Sequence, residues 1–458
     1  MVDPVAPCIT LPLFLRRTFG LLSRYRIPYD AVVKMRVGEP TYMLTHPDDI
    51  RYVLLGNASN YEKTPKLTSA DGKLRAGSGV LTASGSEHRR QRRLLQPLFR
   101  RKAVTRFSSV ILDRLELMYA AWQHRSEVDL AQEMAQLAQS VIIGTLFGID
   151  YRDENGQLAD AIHARRLYTQ HIYHSRLPFR TRLPLPVVRN YRKAIRLLDE
   201  TIAREAMVRR QNPGPKADWG EDLLALLIGL SYSDGSAIND QLIRDEFLTL
   251  TSAGYETVGE ALSWTLYLLM THPDVADELR LAVDTATGGR AIHADDLPRL
   301  DFAESVLRES MRLYPPTWVY VRVPTRADRL PSGTNIPAGA KLYLCPWVMH
   351  RHPRYFPSAE EFVPARFAAG VESSLRGVYF PFGDGAHSCI GEAFAIQQGV
   401  LVLASLAQRF HFDLLPGQTI TPRAGITLSP RCGIRASIRA FKSGVNLTHY
   451  SNTQQGAL

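Results

Sequence analysis

The run Phe382-Gly383-Asp384-Gly385-Ala386-His387-Ser388-Cys389-Ile390-Gly391 constrains this chain more than any other stretch. Its glycines loosen a loop that delivers one cysteine to the start of a helix. Apolar residues then recur at helical spacing (Ala393, Ile396, Val400, Leu403, Ala404, Ala407), so the spacing predicts a helix from Ile390 to Phe410. Cys389 falls at its N-terminus, where free backbone N–H groups and the positive end of the dipole favour a thiolate. Such a thiolate can ligate iron, and the glycines let the backbone pass close to a flat, bulky cofactor. The plainer alternative is a structural cysteine buried in a glycine turn.

The spacing of Phe382, Gly385, the basic His387, Cys389 and Gly391 resembles the haem-binding loop of the cytochrome P-450 superfamily. The resemblance implies Cys389 as the axial thiolate of haem b, iron protoporphyrin IX, with Phe382, Gly385, His387 and Gly391 against the cofactor. A second match lies inside Asp240 to Met270, which reads as one long apolar helix. A mid-helix glycine costs about 1 kcal/mol against alanine, so Gly254 wants a reason. Close helix packing is one. The other is a groove beside the haem, since Ala253-Gly254-Tyr255-Glu256-Thr257 resembles the family's dioxygen-binding pattern. Oxygen activation there needs protons, and Glu256 and Thr257 are the implied relay.

Three more matches follow the same order. Glu309 and Arg312 share a helix face within Leu300 to Leu313. The resemblance pairs them with Arg366 in a buried structural network holding the cysteine loop, although Ala365 stands where the family carries glutamate. His88 and Arg92, four apart on a helix from Ser86 to Leu98, match the face turned to the haem propionates, with His88 where many relatives carry tryptophan. A solvated basic helix is the alternative there. Arg322, facing away from Val319, Val321 and Val323, matches another propionate contact. Cys345 sits in an apolar strand context without a glycine loop and is a poor iron ligand.

With 458 residues, a prior of about 150 per domain would allow three, yet no linker separates them and the motifs run from Arg92 to Cys389. We therefore expect one domain over residues 1–458, with an N-terminal segment to about residue 30 and a frayed tail from about 442. The expected fold is mainly α with a small β region, carrying haem between the glycine-bearing helix and the cysteine loop. Strands are expected across Val32 to Leu44 and Pro324 to Leu344, and Tyr61 to Ser84 as one long loop. Four cysteines without paired spacing suit a reducing cytoplasm. The net charge of +10 comes with no nucleic-acid motif. Leu11 to Leu22 is broken by Arg16 and Arg17, too short for a membrane span.

The resemblance thus implies a monomeric haem-thiolate monooxygenase that places one atom of dioxygen into a lipophilic small molecule such as a fatty acid, terpenoid or steroid. Candidate lining residues, by resemblance, are the Lys66–Val80 loop, Tyr173 to Pro184, Leu250, Ala253, Thr317 to Val319, and Gly425 to Ile426. No flavin or nucleotide segment is present, so ferredoxin and ferredoxin reductase would be separate chains. Seven Arg or Lys residues between Arg89 and Lys102 offer an acidic ferredoxin a docking stripe. A peroxygenase using hydrogen peroxide is the alternative, against which the Glu256-Thr257 pair speaks. A non-catalytic haem sensor would need no relay.

Overall fold

Val33, Met35 and Val37 alternate with polar neighbours, and the chain doubles back after them: β1 (Val32–Val37) pairs antiparallel with β2 (Glu39–Leu44). Three distant segments, β3 (Tyr61–Lys63), β4 (Tyr320–Pro324) and β5 (Lys341–Leu344), complete a sheet in the order β1-β2-β5-β4-β3. Only the β2–β5 pair is parallel, with Thr41 opposite Lys341. The β3–β4 register sets Lys63 opposite Arg322. The computed structural model describes residues 28–37, 39–69, 72–73, 76–148, 156–174, 185–211, 222–231, 235, 238–368 and 375–441. The expected N-terminal segment before residue 28, the 175–184 connection, the 212–221 loop and the tail from 442 lie outside the described residues.

The longer helices are α1 (Gly85–Leu95), α2 (Ser108–Trp122), α3 (Leu130–Phe147), α4 (Gln157–His174), α5 (Pro186–Gln211), α6 (Asp240–Ala253), α7 (Glu256–Thr271), α8 (Pro273–Thr287), α9 (Asp301–Leu313) and α10 (Glu392–Arg409). Their ends carry chemical reasons. Asp129 accepts the Ala131 N–H at 3.0 Å to start α3, and Gly148, at φ +61°, ends it. Pro273 opens α8 at a position where its missing N–H costs nothing. The largest buried cluster draws on Val80 to Ile438, and α7 runs through it against α3, α9 and α10. A Cβ on Gly259 would lie 2.9 Å from Ala135 Cα, so α7 and α3 cross at a distance only glycine permits.

Several expected boundaries move. The stretch Asp240 to Met270 is two helices, broken at Gly254–Tyr255. Thr257 Oγ1 donates to Ala253 O at 2.9 Å, the back-bond that bends helices, while Gly254 N–H still reaches Leu250 O at 2.9 Å. The expected loop from Tyr61 to Ser84 contains β3 and a helical turn, Pro65–Thr68. The helix expected to reach Leu98 stops at Leu95. Pro97, lacking an N–H, lies in the 3-10 turn Gln96–Phe99 that follows.

Candidate active site

The cysteine loop is fixed by its own backbone. Cys389 N–H donates to Phe382 O at 2.8 Å, Ser388 N–H to Gly385 O at 3.1 Å, and Gly383 N–H to Phe380 O at 3.0 Å. Gly385, at φ +70°, packs so closely that a Cβ would lie 2.1 Å from Leu54 O. Tyr320 Oη donates to Pro381 O at 2.7 Å. The Cys389 thiol opens onto an internal cavity of about 290 Å3 that Phe382, His387, Gly391, Ala253, Gly254 and Thr257 also line. The first helical residue is Glu392 and not Ile390, so Cys389 stands ahead of α10. Burial pushes the thiol up to about 11, with the Gly391 N–H pulling it down. The thiol is exposed to the cavity, where a bound metal would take it as the thiolate.

Behind the loop, Arg312 is fully buried and donates from Nε to Glu309 Oε2 at 2.7 Å and from Nη2 to Glu309 Oε1 at 2.8 Å. Its remaining donors reach the carbonyls of His350 (3.0 Å), Ala359 (2.6 Å) and Glu361 (2.8 Å). Arg366 Nε stands 3.4 Å from Glu309 Oε1, an ion pair without hydrogen-bond geometry. His350 Nε2 accepts the Phe380 N–H at 3.0 Å. The network thus connects α9 to the backbone that leads into the cysteine loop.

Across the cavity, the α6–α7 break presents Ala253, Gly254 and Thr257. A Cβ on Gly254 would lie 2.9 Å from Ile142 Cδ1, so close packing accounts for this glycine as well as the groove does. Thr257 donates its hydroxyl hydrogen to Ala253 O, which leaves Oγ1 free to accept. Glu256 Oε1 accepts from Thr427 Oγ1 at 2.9 Å. Thr427 did not stand out in the sequence, although the neighbouring Gly425 to Ile426 did. A second chamber of about 470 Å3 adjoins the first and shares Ala253 and Thr257 as walls. Of the expected lining residues, Leu250 and Thr317 border the first chamber, and Thr317, Val319 and Ile426 the second.

Beside the loop, one edge of the cavity gathers cationic side chains. Arg92 donates from Nη1 to Ser388 O and from Nη2 to Ser388 Oγ at 3.1 Å. His88 and His387 lie with ring centroids 4.2 Å apart, and His387 Nδ1 is buried without a hydrogen-bond partner. Arg322 is buried. Lys63, which sequence reasoning passed over as loop, is buried too and donates to the carbonyls of Val80 (2.8 Å), Leu81 (2.9 Å) and Ala83 (3.1 Å). Burial, then mutual repulsion, lowers Lys63 to about 7, His88 to about 4 and His387 to about 3. Arg92 and Arg322 are pushed down by burial. Among the described residues none of the five has a carboxylate oxygen within 4.0 Å, and Glu62 and Glu246 act on Lys63 only from further away. Two arginines and a partly charged lysine at one edge, with two neutral imidazoles able to donate beside them and a cysteine thiol facing the same cavity, fit a cofactor with anionic groups at one edge and a thiol-seeking metal. Haem, with two propionates and an iron, is such a group.

Comparison with known proteins agrees. The family model for cytochrome P-450 matches residues 4–430. Cyclooctatin synthase of Streptomyces melanosporofaciens is 32% identical, covering 86% of this chain and 85% of its own. Pentalenene oxygenase of Streptomyces avermitilis is 29% identical, covering 94% of both. Among solved structures, the haem domain of cytochrome P-450DA superposes with a TM-score of 0.80 at 24% identity, covering 92% of each chain, which speaks for the fold. A family match across nearly the whole chain, shared with relatives of similar length, makes this chain a member of the cytochrome P-450 family, the haem-dependent monooxygenases.

Proposed function

We propose that this cytochrome P-450 hydroxylates or epoxidises a terpenoid, taking electrons from a separate ferredoxin and its reductase. The observation that carries the reading is the pair of joined chambers, largely apolar, that meet at Ala253 and Thr257, the first of them lined by Cys389. Relatives named for cyclooctatin and pentalenene favour a terpenoid over a fatty acid or steroid. When bound, haem b supplies the iron that activates dioxygen. Cys389 would ligate its iron. Lys63, His88, Arg92, Arg322 and His387 form the proposed cradle for its carboxylates, and Phe382, Gly385, Gly391, Ala253 and Gly254 the walls that pass close to it. Thr257 Oγ1 would accept a hydrogen bond from the cavity side, and Glu256, tied to Thr427, would move the proton. Glu309, Arg312 and Arg366 hold the loop and take no part in chemistry.

For the electron donor, Arg89, Arg93, Arg100, Arg101 and Lys102 are all exposed, and an acidic ferredoxin would meet them. The whole chain is read as one domain and a monomer. A cytoplasmic setting is part of the proposal, supported by Cys345, Cys389 and Cys432 being unpaired among the described residues. The test is turnover of a terpenoid panel by the holoenzyme, either with ferredoxin, reductase and dioxygen or with hydrogen peroxide alone. Product in the first arm with little in the second is expected. Product only with peroxide would make it a peroxygenase, and no product in either arm would favour a sensor.

A further inference from the structure

The second chamber has a polar end that neither the haem nor the proton relay accounts for. Arg165 of α4 is buried there, donating from Nη1 to Thr251 Oγ1 at 2.9 Å and from Nη2 to Leu248 O. Burial lowers it to about 10, so it remains a cation at neutral pH. The next residue, Arg166, lines the same chamber, and its Nε is buried without a hydrogen-bond partner. Tyr255, at the α6–α7 break, is 6% exposed, borders the chamber, and its hydroxyl is also buried and unpartnered. Burial raises that phenol, which therefore keeps its hydrogen to donate.

Acceptors to match these donors are scarce. Thr251 Oγ1 already accepts from Arg165, and Glu256 Oε1 accepts from Thr427. Glu260, one turn along α7 from Glu256, is raised by burial and then by Glu256 to about 8, so near pH 7 it offsets the arginines only in part. A buried guanidinium, a half-buried one whose Nε is nonetheless enclosed, and a buried phenol share this end with few acceptors, a place suited to an oxygen acceptor bearing negative charge.

We propose that a carboxylate on the substrate fills this place, held by Arg165, Arg166 and Tyr255, and that the substrate is a terpenoid acid whose apolar body extends towards Thr257 and Cys389. The proposal rests on the terpenoid-oxygenase reading and names the class of terpenoid. Arg165 also tethers α4 to α6, so it is the poorer residue to change; Arg166 makes no such bond.

The test uses the haem-loaded enzyme at pH 7.5 and follows displacement of the iron-bound water in the absorption spectrum. The probes are farnesoic acid, abietic acid, their methyl esters and neutral terpene hydrocarbons. At least one acid is expected to bind about tenfold or more tightly than its ester, the scale of a charge-assisted hydrogen bond in a desolvated site. In Arg166→Gln that ratio should shrink to within about threefold, with Tyr255→Phe lying between. Esters binding as well as acids, or equal losses for acid and ester in Arg166→Gln, would overturn the carboxylate site. Hydrocarbons binding while acids do not would overturn it and leave the terpenoid reading standing. No terpenoid binding at all would remove both.

Discussion

Thr257 has one hydrogen to give and gives it to Ala253 O, so towards the cavity it can only accept. Its loss would leave a proton at the wrong oxygen or none at all. Thr257→Ala is expected to keep consuming electrons while releasing more hydrogen peroxide and less product; an unchanged product-to-electron ratio would count against the relay. Lys63 gives a second prediction at this scale. Its folded-state value near 7, against 10.5 for an ordinary lysine, means that its contribution to stability is complete above 10.5 and is lost as pH falls through 7. Denaturant unfolding of haem-free protein should show the parent gaining on Lys63→Met by up to about 1.4 kcal/mol per pH unit between pH 7 and 9. A gap between the two that does not change with pH would contradict the buried cation. The two residues differ in how far they could be read in advance. The cysteine loop concentrates its chemistry in ten consecutive positions, and the acid–threonine pair in five. Lys63 acquires its place only through the β3–β4 register opposite Arg322, which no local pattern encodes.

Elements show the same division. Starts and stops set by one or two residues were legible, such as the end of α7 at Thr271, one residue past the expected Met270, and the motif helix carrying Glu309 and Arg312. The break between α6 and α7 was not, because the apolar periodicity runs on through Gly254 and Tyr255 while a side-chain hydroxyl bends the backbone. The end of α1 is intermediate: Pro97 marks it, yet the apolar Leu98 and Phe99 extend the pattern past it. The α9 network yields a prediction about stability, not chemistry. Glu309→Ala leaves Arg312 buried with carbonyls and no anion, a loss of about 3–5 kcal/mol. Chemical denaturation of haem-free protein, together with haem content after expression, should show both falling. Full haem loading at parental stability would mean that the pair does not hold the loop.

Across the whole molecule, the +10 net charge becomes informative once it has a location. Arg89 and Arg93 share one exposed side of α1, whereas Arg100 follows the 3-10 turn and does not continue that helical row. Complementary charge acts mainly on association rate and is screened beyond about 8–10 Å in physiological salt. Arg93→Glu should therefore slow reduction by an acidic ferredoxin at low salt, with the deficit closing as salt rises and haem content unchanged. Equal rates at low salt would take this surface out of the donor's path. The family-level reading needs only that one cysteine meets the iron. Cys345 is buried, donates from Sγ to Trp318 O at 3.2 Å, and is driven by burial to about 12, so it offers no thiolate. The most direct measurement is the absorption spectrum of the reduced, carbon monoxide-bound holoenzyme in Cys389→Ser beside Cys345→Ser. The long-wavelength band should vanish in the first and persist in the second; a band that survives in Cys389→Ser, or is lost only in Cys345→Ser, would contradict Cys389 as the ligand.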